Sequence, residues 1–181
     1  MSGRQAYVSQ CAAIHQCNLP RHFSRVIGEH AMHLVQLVEA DRQARKKQLL
    51  GSWSSLKDVN DRWINLLCDR DESTFVNTCV NLVCSYTDSI GDYIVEGAIH
   101  KDRVARLTKA EGDFYSALKP MAGTNVTRQK WVNYTHALVD MVEAANRHGI
   151  DSDTTWSCAA DAIVAGRMLG QWLDCAFLHQ R

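Results

Sequence analysis

From Phe75 to Leu118 the chain runs without a proline and repeats its apolar side chains at helical spacing. Phe75, Cys79, Leu82, Val83, Tyr86, Ile90, Tyr93, Gly97, Val104 and Tyr115 fall on one side of a 3.6-residue wheel. At about 1.5 Å rise per residue, one continuous helix here would be roughly 65 Å long. A stripe of that length has to be covered by several partners, and the other segments have the periodicity to supply them. Strand signals are absent: no alternating run is followed by a hairpin turn. The fold class is therefore all-α. The expected architecture is a single domain over residues 1–181, an antiparallel bundle of four to five long amphipathic helices. Within it, residues 73–118 form one very long helix or a kinked one.

Only two prolines occur, Pro20 and Pro120, each where a helix would start or stop. Residues 1–19 are a marginal N-terminal segment, with a short helix over 4–17 carrying Tyr7, Val8, Cys11, Ile14 and Cys17. Asn18-Leu19-Pro20 breaks it. A second helix is predicted over 21–49, with Phe23, Val26, Ile27, Leu34, Leu37 and Val38 as its stripe and His30 at the centre. Gly51-Ser52 is its expected stop, glycine being the usual residue there. A third helix covers about 54–68 and buries Leu56, Val59, Trp63, Leu66 and Leu67. The charged link Asp69–Glu72 leads into the long stretch, where Gly91 and Gly97 predict a bend or a close crossing. Lys119 to Asn125 is a loop. A fifth helix follows over 126–147 with Trp131, Tyr134, Leu138, Met141 and Val142 inward. Asp151-Ser152-Asp153 caps a last helix reaching about residue 179. Its Ala162, Gly166 and Gly170 allow another backbone to approach closely, and Asp161, Arg167 and Asp174 exclude a lipid-facing span.

Lys plus Arg equals Asp plus Glu, so the formal net charge is zero. A nucleic-acid binder needs a basic excess to displace counterions, and none exists. The basic patch Arg42, Arg45, Lys46, Lys47 reads as cations near a helix C-terminus. No run of about 18 apolar residues is present, so no membrane span is expected. Seven cysteines, an odd number, and no secretory leader point to a reducing, cytoplasmic setting. None is spaced C-x-x-C, so no zinc knuckle or dithiol motif is written here.

One set of side chains has the composition of a bundle metal site: Glu29, His30 and His33 on one helix, Glu96 and His100 on another. Glu29/His33 and Glu96/His100 are each i, i+4 and share a face. The Glu-x-x-His spacing of di-iron bundles is missing, and the wheel sends His30 inward while Glu29 and Glu96 fall at or beyond the edge of their stripes. The alternative is one hydrogen-bonded core histidine plus surface Glu–His pairs. Cys11, His15 and Cys17 form C-x₃-H-x-C, which fits no zinc pattern and reads as packing. Serine-hydrolase, phosphate-loop and dinucleotide signatures are absent. Trp53 and Trp172 lie off the main stripes, marking either an exposed patch or contact with a further helix.

From Phe23 to Ile99 a long amphipathic helix leads to Trp63-Ile64-Asn65-Leu66-Leu67. The acidic stretch Asp69 to Glu72 follows, and Phe75-Val76 opens another long amphipathic helix. In this arrangement the chain resembles the phasins, helical proteins that coat intracellular polyhydroxyalkanoate granules. The resemblance implies a helical, often oligomeric protein that binds a hydrophobic granule surface. The residues themselves imply a non-enzymatic interaction or scaffold protein acting through amphipathic helices, on itself or on a protein partner. Tyr86, Ile90 and Tyr93 are the expected helix–helix contact. No cofactor is expected on this reading. The alternative is a bundle enzyme or carrier holding a metal or organic cofactor between helices, with Glu29, His30, His33, Glu96 and His100 as ligands.

Overall fold

A computed structural model describes residues 2–15, 22–68, 73–96, 101–122 and 125–178. Among them there are seven helices and no strand: α1 (Gly3–His15), α2 (Phe23–Arg42), α3 (Lys46–Cys68), α4 (Ser73–Glu96), α5 (Lys101–Ala122), α6 (Asn125–His148) and α7 (Asp153–Leu178). They share one apolar core, to which every helix contributes, with α7 packing most extensively on α2 and α6.

The helix count exceeds the expected four to five chiefly because the 73–118 stretch holds two helices, α4 and α5. Asp92 on α4 and Arg106 on α5 approach to 3.8 Å. Fourteen residues of straight helix would separate them by about 21 Å, so α5 folds back on α4. Residues 97–100, which link the two helices and include Gly97 and His100, lie outside the described residues.

The second boundary also moves. Gly51 does not stop a helix; it lies inside α3, where a single glycine costs only about 1 kcal/mol. The break comes earlier, at Gln43–Arg45. Ala44 takes the left-handed conformation, φ 51°. Its N–H donates to the Asp41 carbonyl at 3.0 Å, and the Arg45 N–H donates to Ala40 at 2.9 Å. These are the paired bonds of a Schellman motif, built with alanine where glycine is usual.

The marginal N-terminal segment is a regular helix with firm anchors. Ser2 Oγ accepts from the Gln5 N–H (3.3 Å) and Gln5 Oε1 from the Ser2 N–H (3.2 Å), a capping box. The Gly3 N–H donates to Asp153 Oδ1 at 2.6 Å. Tyr7 packs on Trp156 with ring centroids 4.9 Å apart, and the Arg4 guanidinium lies over the same indole. Ile14 is buried against Gly28.

The close crossing anticipated from Ala162, Gly166 and Gly170 is made against α2. A Cβ on Gly170 would come within 2.3 Å of the Ser24 backbone, and one on Gly166 within 3.0 Å of the Ile27 carbonyl oxygen. The two helices therefore pass in opposite senses with their backbones nearly touching. At Gly91 a Cβ would meet the Trp53 indole, which explains both the glycine and the off-stripe tryptophan. Trp53 and Trp172 are both partly buried against the core, so neither marks an open patch.

Helix ends are closed partly by distant residues. Ser152 caps α7, accepting from the Thr155 N–H at 3.1 Å. The start of α2 has no side-chain cap from its own N-cap residue, His22. Asp174 of α7 does the work instead: Oδ1 accepts from the Phe23 N–H (2.8 Å) and Oδ2 from the Ser24 N–H (3.1 Å). A carboxylate there also suits the positive end of the helix dipole. No helix among the described residues is long and apolar enough to cross a membrane.

Candidate functional site

The polar centre of the core is built around His30. Ile27 and Leu34 flank it on the inward face of α2, so the imidazole is driven inside with them and is 0% exposed. A buried imidazole needs partners for both ring nitrogens. Tyr134 of α6 lies 2.7 Å from Nδ1, and Thr87 of α4 lies 3.0 Å from Nε2. The Thr87 hydroxyl donates to Asn60 Oδ1 of α3 at 2.9 Å. That direction fixes the rest. With its proton aimed at Asn60, Thr87 Oγ1 accepts from His30 Nε2–H, which leaves Nδ1 to accept from the Tyr134 hydroxyl. One directed chain of hydrogen bonds, Tyr134 to His30 to Thr87 to Asn60, thus joins four helices.

Aromatic rings enclose it. Trp63 stands edge-on to His30, centroids 5.2 Å apart, and Trp131 lies 5.8 Å from Trp63 and 5.2 Å from Tyr86. The Tyr86 hydroxyl is 2.9 Å from Thr135 Oγ1, a second polar tie between α4 and α6. Burial, with His33 as the smaller cause, pushes His30 down to about 3. Burial likewise pushes the Tyr134 and Tyr86 phenols up. The cluster is neutral.

Of the residues picked out as metal ligands, the three on α2 are engaged by separate partners. Glu29 is 5% exposed and is occupied by two arginines: Arg25 Nε at 2.9 Å from Oε1, and Arg62 on Oε2. Burial works to raise its carboxyl, but the hydrogen bonds from Arg25 and Arg62 outweigh it and hold it low. His33 Nδ1 bonds Gln36 Oε1 at 2.8 Å, one turn along α2 and away from the His30 chain. The Glu96 side chain and the whole of His100 lie outside the described residues. Among those described, no group of three or more His, Cys, Asp or Glu side chains could hold a metal ion.

The expected contact residues Tyr86, Ile90 and Tyr93 are 0%, 0% and 2% exposed. Their stripe is spent inside the chain, and a partner would reach them only if the bundle opened. Cys11, Cys84 and Cys158 are free thiols that burial pushes up, the opposite of what activates a nucleophile. His15 and Cys17 contribute nothing to this account, since the His15 side chain and all of Cys17 lie outside the described residues.

Thr87 and Asn60 carry the centre of the network and were not picked out from the sequence. The signal was present. Asn60 sits four after Leu56 and three before Trp63, and Thr87 four after Val83 and three before Ile90, so both are polar residues at core spacing. No protein-family model matches the chain, and no curated protein or solved structure matches it either.

Proposed function

We propose that the protein is a non-enzymatic helical interaction protein, acting in the cytoplasm by association with itself or with a protein partner. The observation that supports this reading is the state of its buried titratable groups. His30 has both nitrogens engaged by other helices, and Glu29 is held by two arginines. Groups locked in this way hold a bundle together and are poorly placed to exchange protons or ligate a metal. Coating of a hydrophobic granule, the role that the phasin resemblance implies, belongs to the same proposal on one condition. The stripe of Tyr86, Ile90 and Tyr93 would have to leave the interior and face the granule.

Purified protein should sediment as a dimer or larger species, or pellet with polyhydroxyalkanoate particles. It should contain no transition metal near stoichiometry by elemental mass spectrometry. Monomeric protein that ignores the particles and carries stoichiometric iron, manganese or zinc would overturn the proposal in favour of a bundle enzyme.

A further inference from the structure

A polar cleft opens where α2 turns into α3. It has a volume of about 380 Å³ and is lined by Gln36 and Glu39 on one side and by Arg45, Gln48, Ser52 and Ser55 on the other. A space of this size accommodates a small molecule. The spacing 45, 48, 52, 55 places four hydrogen-bonding side chains on one face of α3 and its leading residue, and 36, 39 does the same for α2. The Schellman turn at Ala44 brings the two faces opposite each other.

The charges are separated in an unusual way. Arg45, Lys46 and Lys47 crowd the start of α3, whose first turn holds no acid to balance them or the helix dipole. Glu39 supplies a negative charge across the cleft. Arg45 does not close on it; its guanidinium donates to Gln48 Oε1 at 3.2 Å. Ser52 is 7% exposed, lines the cleft, and its hydroxyl makes none of the side-chain hydrogen bonds among the described residues, which leaves it open to a molecule in the cleft. Gly51, beside it, has open space where a side chain would be.

We infer that this cleft binds a small zwitterion, a molecule carrying a carboxylate and an ammonium a few bonds apart, as a free amino acid does. The carboxylate accepts from Arg45 and from Ser52, and the ammonium donates to Glu39. Binding of a small molecule here stands apart from the association proposed above, because the cleft lies on the outside of the bundle and away from the His30 chain.

Glycine is the simplest probe, with acetate and methylammonium as its two halves. In an amide NMR titration glycine should move the Gln48, Gly51 and Ser52 signals, with each half binding at least about tenfold more weakly, as loss of one charge-assisted contact requires. Arg45→Gln and Glu39→Gln should each weaken glycine by a similar factor. Gly51→Leu should obstruct the cleft while leaving the other amide signals in place, since a Cβ added there has no atom within 4 Å. No movement of Gly51 and Ser52, or equal binding by both charge variants and the parent, would overturn the inference. Acetate binding as tightly as glycine would overturn the zwitterion assignment.

Discussion

A proton on His30 has no favourable place in the folded chain, because one ring nitrogen already accepts from Tyr134 and the other already donates to Thr87. The folded-state value near 3 lies below the unfolded value of about 6.5. Below about pH 6.5 the unfolded chain therefore takes up a proton that the folded chain refuses. Stability from this residue is complete above that pH and is lost as pH falls towards 3, by about 1.4 kcal/mol per pH unit. Glu29, held low by its arginines, adds loss in the same direction at more acid pH. Urea unfolding at pH 7, 6 and 5 should show the slope, and His30→Phe should flatten it even where the variant is less stable overall. Nitrogen NMR of the imidazole should find Nε2–H and no titration above pH 5. Equal stability of the parent at pH 7 and pH 5 would contradict the buried, neutral histidine. His30 was legible in the sequence as an inward residue, because Ile27 and Leu34 bracket it. Its partners were not, since a wheel shows which way a side chain faces and not which helix it meets.

At the scale of elements, the α2–α3 turn sets a test of its own. Ala44 holds a left-handed conformation that costs an L-residue roughly 1–2 kcal/mol, and glycine would relieve it. Ala44→Gly should raise stability by about 1 kcal/mol after the extra freedom of the unfolded glycine is subtracted, readable as a higher urea midpoint with unchanged slope. An unchanged or lower midpoint would mean that the turn does not carry the strain. This same turn shows why the helix boundary was misread. Gly51 has the composition of a stop, yet Leu56, Val59 and Trp63 beyond it pack on the same core as Leu49 before it, and packing outweighs one glycine. Ala44 carries no composition signal at all. The small-residue pattern of α7, by contrast, predicted its own packing, because Gly166 and Gly170 leave a groove that only a neighbouring backbone fills. The division of 73–118 into α4 and α5 was invisible to periodicity, which continues across a reversal whenever both arms face one core.

For the whole molecule, the all-helical class followed from the absence of alternating runs, while the order in which helices meet depended on contacts between residues far apart in the chain. Asp174 shows the reach of those contacts. Asp174→Ala should destabilise the chain by about 0.5–2 kcal/mol, as loss of a helix cap does, and should speed amide exchange at Phe23 and Ser24. Slow exchange there in the variant would show that the cap is dispensable. The cap and the two amides it closes are separated by 151 and 150 positions. A ribosome makes the amino end of α2 long before the carboxylate that finishes it. Until that late segment emerges, the nascent α2 keeps its leading N–H groups bare and its glycine groove partner unmade. Completion of this bundle thus waits until translation has passed α7, and chains stalled before residue 174 should remain open to chaperones and proteases.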